Sequence, residues 1–198
     1  MIVSAEFVTS AAGARDFPRD RMPEVALVGR SNVGKSSLIN AMVRRPVART
    51  SAAPGKTRLA NFYRVQAASS PAFYLVDLPG YGYARGGDRS ADEFRRLADA
   101  YFAREAPRGV LLLVDARHPG LEADVATWDW LQASLIAKVV IATKADKLTR
   151  AERTRHSQQL NALFEGPVRL VSAHSGEGLE ELWKLIAKLP DPKAPVAP

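Results

Sequence analysis

The chain has 198 residues, enough for one domain with a full hydrophobic core and too few for a long multidomain assembly. It has no cysteine, which excludes disulfide frameworks, thiolate metal sites and cysteine nucleophiles, and no apolar run approaches the roughly 18 residues of a membrane span. Lys and Arg number 28 against 21 Asp and Glu, and the resulting charge of +7 attracts polyanions without specifying which.

Residues 1–22 read as an extension ahead of the main domain. They lack a cationic start followed by an apolar segment, so no secretory signal is expected and the expected location is the cytoplasm. From residue 23 to 189, apolar runs alternate with amphipathic stretches, the pattern of an α/β domain whose parallel sheet is covered by helices on both faces. Strands are expected at 25–28, 59–66, 73–77, 109–115, 138–143 and 168–172, with the second and third forming an antiparallel pair around 68–71. That gives a mostly parallel six-stranded sheet with one antiparallel strand. Helices are expected at 36–43, 92–104, 122–134, 149–164 and 178–189, a mobile loop at 83–90, and an extended proline-rich tail at 190–198.

Between the first strand and first helix lies Gly29-Arg30-Ser31-Asn32-Val33-Gly34-Lys35-Ser36-Ser37, a match to G-x-x-x-x-G-K-[ST]. Such a loop turns successive N–H groups toward phosphate oxygens, Lys35 adds charge at the β and γ phosphates, and Ser36 can ligate Mg²⁺. The helix that starts there adds the positive end of its dipole. Chance produces the pattern in roughly 1% of chains this long, and its strand-to-helix placement lowers that further.

Asp77-Leu78-Pro79-Gly80 closes the third strand, where a carboxylate can hold Mg²⁺ through water and the Gly80 N–H can face a γ-phosphate. Thr143-Lys144-Ala145-Asp146 follows a buried strand. Asp146 can accept from guanine N1–H and the 2-amino group, a donor pair that adenine lacks, and it can cap the next helix as well, since the two roles can coexist. The Lys144 stem can lie across base and ribose. Ser172-Ala173-His174 can bring backbone N–H groups near guanine O6. A further Mg²⁺ ligand is expected from Thr57 in Pro54-Gly55-Lys56-Thr57, preferred to Thr50 because Gly55 lets the loop close.

These stations, with Ala48-Arg49-Thr50-Ser51, Asn61-Phe62-Tyr63, Tyr81-Gly82-Tyr83-Ala84 and Val114-Asp115-Ala116-Arg117-His118, closely resemble the EngB (YihA/YsxC-like) family of bacterial ribosome-biogenesis GTPases. The resemblance covers about residues 23–178. It implies a monomeric Ras-like P-loop NTPase domain that binds GTP or GDP with Mg²⁺ and acts in assembly of the large ribosomal subunit on its rRNA rather than on DNA. Normal cell division and septation are implied as a downstream need. Lys35, Thr57 and Gly80 would serve hydrolysis.

Two positions depart from the common GTPase pattern. Thr143 replaces the usual Asn, which should weaken one bond to the base and the tether back to the phosphate loop. Tyr81 stands where Ras-type enzymes place a water-orienting glutamine, so slow hydrolysis completed by a ribosomal partner is expected. The alternative is an RNA-binding assembly module whose nucleotide is structural. Asn32 is a candidate K⁺ ligand, and equal GTPase rates in K⁺ and Na⁺ would remove that role.

Arg44, Arg45, Arg49, Lys56, Arg58, Arg85, Arg89, Arg95 and Arg96 are candidates for rRNA phosphates. Trp128 and Trp130 are expected to face different surroundings on one helix, and Glu152, Arg153, Arg155 and His156 to form a solvated helix face.

Overall fold

The computed structural model describes residues 2–50, 59–67, 71–81, 88–104 and 106–189. The expected loop at 54–57, with Gly55, Lys56 and Thr57, lies outside them, as do most of 83–90 and the tail at 190–198. In chain order the elements are β1 (Ile2–Ala11), β2 (Glu24–Gly29), α1 (Lys35–Val43), β3 (Ala60–Ala67), β4 (Phe73–Asp77), α2 (Asp88–Phe102), β5 (Pro107–Asp115), α3 (Glu122–Gln132), β6 (Ala137–Thr143), α4 (Arg150–Leu163), β7 (Arg169–Leu170) and α5 (Leu179–Ala187).

One sheet runs in the order β1-β3-β4-β2-β5-β6-β7. β3 pairs antiparallel with both β1 and β4, and the other pairings are parallel, so β3 is the single strand against the direction of the rest. The sheet therefore has seven strands where six were expected. The extra one comes from residues 1–22, whose register with β3 breaks twice, between Ile2 and Ser4 and between Phe7 and Thr9. Those irregularities interrupt the period-two alternation by which a strand is recognised.

The central strands are continuous apolar runs because both faces are covered. Val25 and Leu27 join a core with Leu38 and Ile39 of α1 and Leu182 and Ile186 of α5. Ala26 and Val28 join the opposite core with Leu97 and Tyr101 of α2, Leu131 of α3 and Leu160 of α4. Burying each of these Val, Leu and Ile side chains contributes about 1.5–3 kcal/mol, which fixes the helices on their two layers.

Register then places the chemistry. Leu27 lies beside Asp77, Gly29 beside Leu113, and Asp115 beside Thr143. The phosphate-loop glycine, Asp77, Asp115 and Thr143 thus gather at the carboxyl ends of adjacent strands, where open α/β sheets bind ligands.

Candidate functional site

After β2 the chain turns sharply into α1. Gly34 has φ of 111°, a backbone conformation that side chains disfavour, and Asn32 has φ of 63°, which Asn tolerates better than most residues. This backbone demand is a structural reason for Asn at position 32. Lys35 is buried and its ammonium donates to the carbonyl oxygens of Gly29 at 3.1 Å and Arg30 at 3.4 Å. An ammonium has three donors, so one remains for an anion. Burial pulls the Lys35 ammonium below its usual range, and Asp77 pushes it back up.

Asp77 is the complementary charge. Its Oδ2 accepts from the Ser36 hydroxyl at 2.7 Å, and its Oδ1 is buried with no hydrogen-bond partner among the described residues. Burial raises its pKa, opposed by Lys35 and Ser36. An orphaned carboxylate oxygen beside a hydroxyl is the hard-oxygen donor set that suits Mg²⁺, so these residues fit the ion.

The segment after Asp77 is fixed against the phosphate loop. The Ser31 N–H donates to the Tyr81 carbonyl at 3.0 Å as part of a parallel bridge between Arg30 and Tyr81, and the Ser31 hydroxyl approaches the Gly80 carbonyl at 3.4 Å. A Cβ on Gly80 would fall 2.7 Å from Ser31 Cα, so only glycine permits this approach. Leu78 is fully buried, which anchors the turn through Pro79. The Tyr81 ring is buried against Phe94, and its hydroxyl donates to Asp124 Oδ1 at 2.9 Å. Arg30 Nε lies 3.2 Å from the same oxygen. The phenol is therefore committed to α3.

A cavity of about 550 Å³ joins the loop to the other motifs, with Gly34 and Ser37 on one side and Thr143, Lys144, Asp146, Ala173 and His174 on the other. Thr50 and Lys147 also line it. The Thr143 hydroxyl lies 2.7 Å from the Val33 carbonyl and 3.1 Å from that of Val114. The tether to the phosphate loop, expected to weaken without Asn, is thus present. Having one proton, the hydroxyl spends it on backbone.

Lys144 adopts φ of 61°, and its ammonium donates to the Asn32 carbonyl at 2.8 Å and Asp115 Oδ2 at 2.9 Å. Arg117 donates to both Asp115 oxygens, at 2.9 and 2.7 Å. Burial works against the Asp115 carboxylate, but these donors hold it well below the usual range.

Asp146 follows Ala145 in a short 3-10 turn, where the Ala145 N–H donates to the Val171 carbonyl at 3.1 Å. The Ser172 hydroxyl donates to Asp146 Oδ1 at 2.6 Å and keeps that carboxyl below its usual range. It also accepts from the backbone N–H groups of His174 and Ser175 at 3.2 and 3.1 Å. The capping alternative for Asp146 is not realised. Thr149 caps α4, in a reciprocal pair with Glu152.

Three expectations are corrected by this packing. Trp128 stacks edge-on against Phe164, and Trp130 against Phe94 and Phe102, so both reach the same core from opposite sides of α3. Arg95 lies over Trp130 at 5.0 Å, so part of its role is local. The supposed solvated face of α4 supplies the Glu152 cap, bonds from Arg153 to Glu177 and Ala145, and a His156 Nδ1 contact with the Ala116 carbonyl at 2.8 Å. The sequence pattern assigns no site role to Asp124, Glu177, Asp115 or Arg117. Only Asp115 and Arg117 carried a signal, as part of a motif at a strand end.

The strand-ended loops on this sheet define the P-loop GTPase class of guanine-nucleotide-binding domains. Residues 24–144 match the family described as 50S ribosome-binding GTPase. "Probable GTP-binding protein EngB" of Pelotomaculum thermopropionicum is 46% identical over 94% of this chain and 96% of its own. The protein of the same name from Geobacillus kaustophilus is 43% identical over 92% and 94%. The chain belongs to the EngB family of GTP-binding proteins.

Among solved structures, a probable GTP-binding protein EngB superposes with a TM-score of 0.62 at 23% identity, covering 84% of this chain and 97% of that one. Era in complex with MgGDPNP and nucleotides 1506-1542 of 16S ribosomal RNA gives 0.74 at 23% identity, covering 89% of this chain and 59% of its own. At these identities the likeness establishes the fold, and the chain spans little over half of Era.

Proposed function

We propose that this EngB-family protein is a guanine-nucleotide switch that hydrolyses GTP slowly and acts in assembly of the large ribosomal subunit in the cytoplasm, with cell division and septation depending on it indirectly. The observation that carries the reading is the cavity bounded at one end by the phosphate loop and at the other by Asp146. A base held by Asp146 would extend its phosphates toward Gly29 through Ser37.

In this reading, loop N–H groups up to Ser37 and the third Lys35 donor take the phosphates, apart from the N–H groups of Ser31 and Val33, which are bonded to the Tyr81 and Arg30 carbonyls. Asp146 reads N1–H and the 2-amino group, Lys144 covers the ring, and of the 172–174 backbone the Ala173 N–H faces O6, those of Ser172 and His174 being bonded to the Glu177 carbonyl and the Ser172 hydroxyl. Ser36, with Asp77 through water and Thr57 from the loop at 54–57, would hold Mg²⁺, which neutralises charge on the β and γ oxygens during transfer. Gly55 gives that loop its closing freedom and Lys56 adds a cation beside it. Gly80 presents its N–H to the γ-phosphate, and Leu78 and Pro79 set its position.

Slow turnover follows from Tyr81, whose hydroxyl donates to Asp124. No glutamine follows Gly80 to orient water, so a ribosomal partner would complete the site. K⁺ at Asn32 is the alternative source of charge. The ribosomal assignment is supported by the family description and by the +7 charge. Residues 23–189 form the switch domain with β1 of the preceding extension added to its sheet, and it acts as a monomer.

Competition of labelled GTP by GDP, ATP and UTP tests the binding reading, with displacement by GDP alone expected. Turnover with and without purified large subunits, in K⁺ and in Na⁺, tests the switch. No stimulation, with equal ribosome binding in GDP and GTP, would favour an assembly module with a structural nucleotide, which the committed Tyr81 hydroxyl also allows.

A further inference from the structure

Arg153 was expected on a solvated face, yet it links the two loops that border the base end of the cavity. Its Nη2 donates to the Ala145 carbonyl at 2.8 Å and to Glu177 Oε2 at 3.0 Å, and its Nη1 donates to Glu177 Oε1. The Glu177 carbonyl in turn accepts from the Ser172 N–H at 3.0 Å. Ser172 closes the path by donating its hydroxyl to Asp146 at 2.6 Å, one residue beyond Ala145.

The connections form a ring. It runs from Ala145 through Asp146, Ser172, Glu177 and Arg153 back to Ala145, and every non-covalent step is a hydrogen bond. A carboxylate that must accept two donors from one edge of a base needs its plane fixed as well as its charge. Ser172 fixes one oxygen of Asp146, and Arg153 restrains the backbone from which Asp146 projects. The guanidinium fork is suited to this task, because its donors lie in one plane and bind two acceptors at once.

We propose that Arg153 and Glu177 are positioning residues for base selection, holding the turn at residues 145–147 and the loop at 172–178 in the register that lets Asp146 meet both guanine donors. The inference rests on the reading of Asp146 given above. Neither residue touches the nucleotide in this account. Their effect is therefore expected on discrimination between bases more than on phosphate affinity.

The test compares GDP with IDP, which lacks the 2-amino group, by displacement of a fluorescent GDP from the full chain with Mg²⁺ present. The parent should prefer GDP by about tenfold or more, the worth of one hydrogen bond to a charged acceptor. Arg153→Met should weaken GDP by about tenfold and IDP much less, compressing the ratio to about threefold or below. Glu177→Gln should move the ratio in the same direction by less, and Arg153→Lys should restore part of it.

A folded Arg153→Met protein that keeps the parental ratio within about twofold would overturn the proposal. If that variant does not fold, Glu177→Gln decides by the same ratio. Asp146→Asn separates the two levels. If it fails to shift preference toward xanthosine diphosphate, the reading of Asp146 itself is wrong. If it does shift and the Arg153 and Glu177 variants do not, the positioning role alone falls.

Discussion

The two ends of the cavity are built on opposite principles. At the base end, charges meet partners: Asp115 receives Lys144 and Arg117, Asp146 receives Ser172, and Thr143 is tethered to Val33. At the phosphate end, Lys35 and Asp77 are buried under conditions that disfavour both charges, and Asp77 Oδ1 has no partner among the described residues. A satisfied network holds its shape without ligand, whereas a strained one gains most when ligand arrives. In the proposed reading, the difference separates a preformed reader of the base from a phosphate site completed by its ligand.

The largest effect expected from disturbing this contrast is at Lys35. Replacing it by Met should weaken GDP and GTP by on the order of 10²-fold, one charge-assisted bond and the cation beside the phosphates being lost, while leaving the preference for GDP over IDP intact. Equilibrium titration of both nucleotides checks it. A change in base preference would mean that the two ends are not separable.

Two aspartates sharpen the contrast through stability in opposite directions. Asp115 has a folded-state pKa below the ordinary aspartate value of 3.8, so it contributes stability above that pH and the contribution is lost as pH falls. Asp115→Asn should therefore destabilise the protein at neutral pH by about 1–2 kcal/mol, the partly exposed Arg117 limiting the effect, and the loss should vanish in acid. Asp77 has its pKa raised, so its contribution is fully present below 3.8 and is lost as pH rises through the folded value. Asp77→Asn should stabilise the ligand-free protein at neutral pH by about 1 kcal/mol while reducing the gain in GTP affinity from Mg²⁺. Denaturant unfolding at neutral and acid pH, with and without nucleotide, reads both.

The smallest effect belongs to Tyr81. With its hydroxyl committed to Asp124, Tyr81→Phe should leave the unstimulated GTPase rate within about twofold of the parent while costing about 1 kcal/mol of stability. A large fall in rate by single-turnover assay would place the phenol in the chemistry.

Sequence reading recovers what local pattern encodes. The phosphate loop, the two strand-ended aspartate motifs and the buried runs of β2, β5 and β6 are all contiguous signals, and register alone then gathers Gly29, Asp77 and Thr143 at one end of the sheet. β1 escapes notice because two irregularities break its alternation, and its pairing with β3 joins residues as far apart in the chain as Ile2 and Ala67. The ring through Arg153 and Glu177 is hidden for a related reason. Its members come from α4 and two separate loops, and charged residues on a polar helix look alike whether they meet water or a carboxylate. Tyr81 shows the limit from the other side, since the missing glutamine is visible in the sequence but the burial of its replacement against Phe94 is not.

The central claim is that one pocket reads guanine through Asp146 and grips phosphates through the loop at 29–37. Calorimetric titration of the parent and of Asp146→Asn with GDP and with xanthosine diphosphate tests it most directly. The account predicts that the parent binds GDP and that the variant reverses the preference, by on the order of 10² in the ratio, because an amide donor matches a 2-oxo group. A folded parent that takes up no GDP, or a variant that still prefers it, would contradict the account.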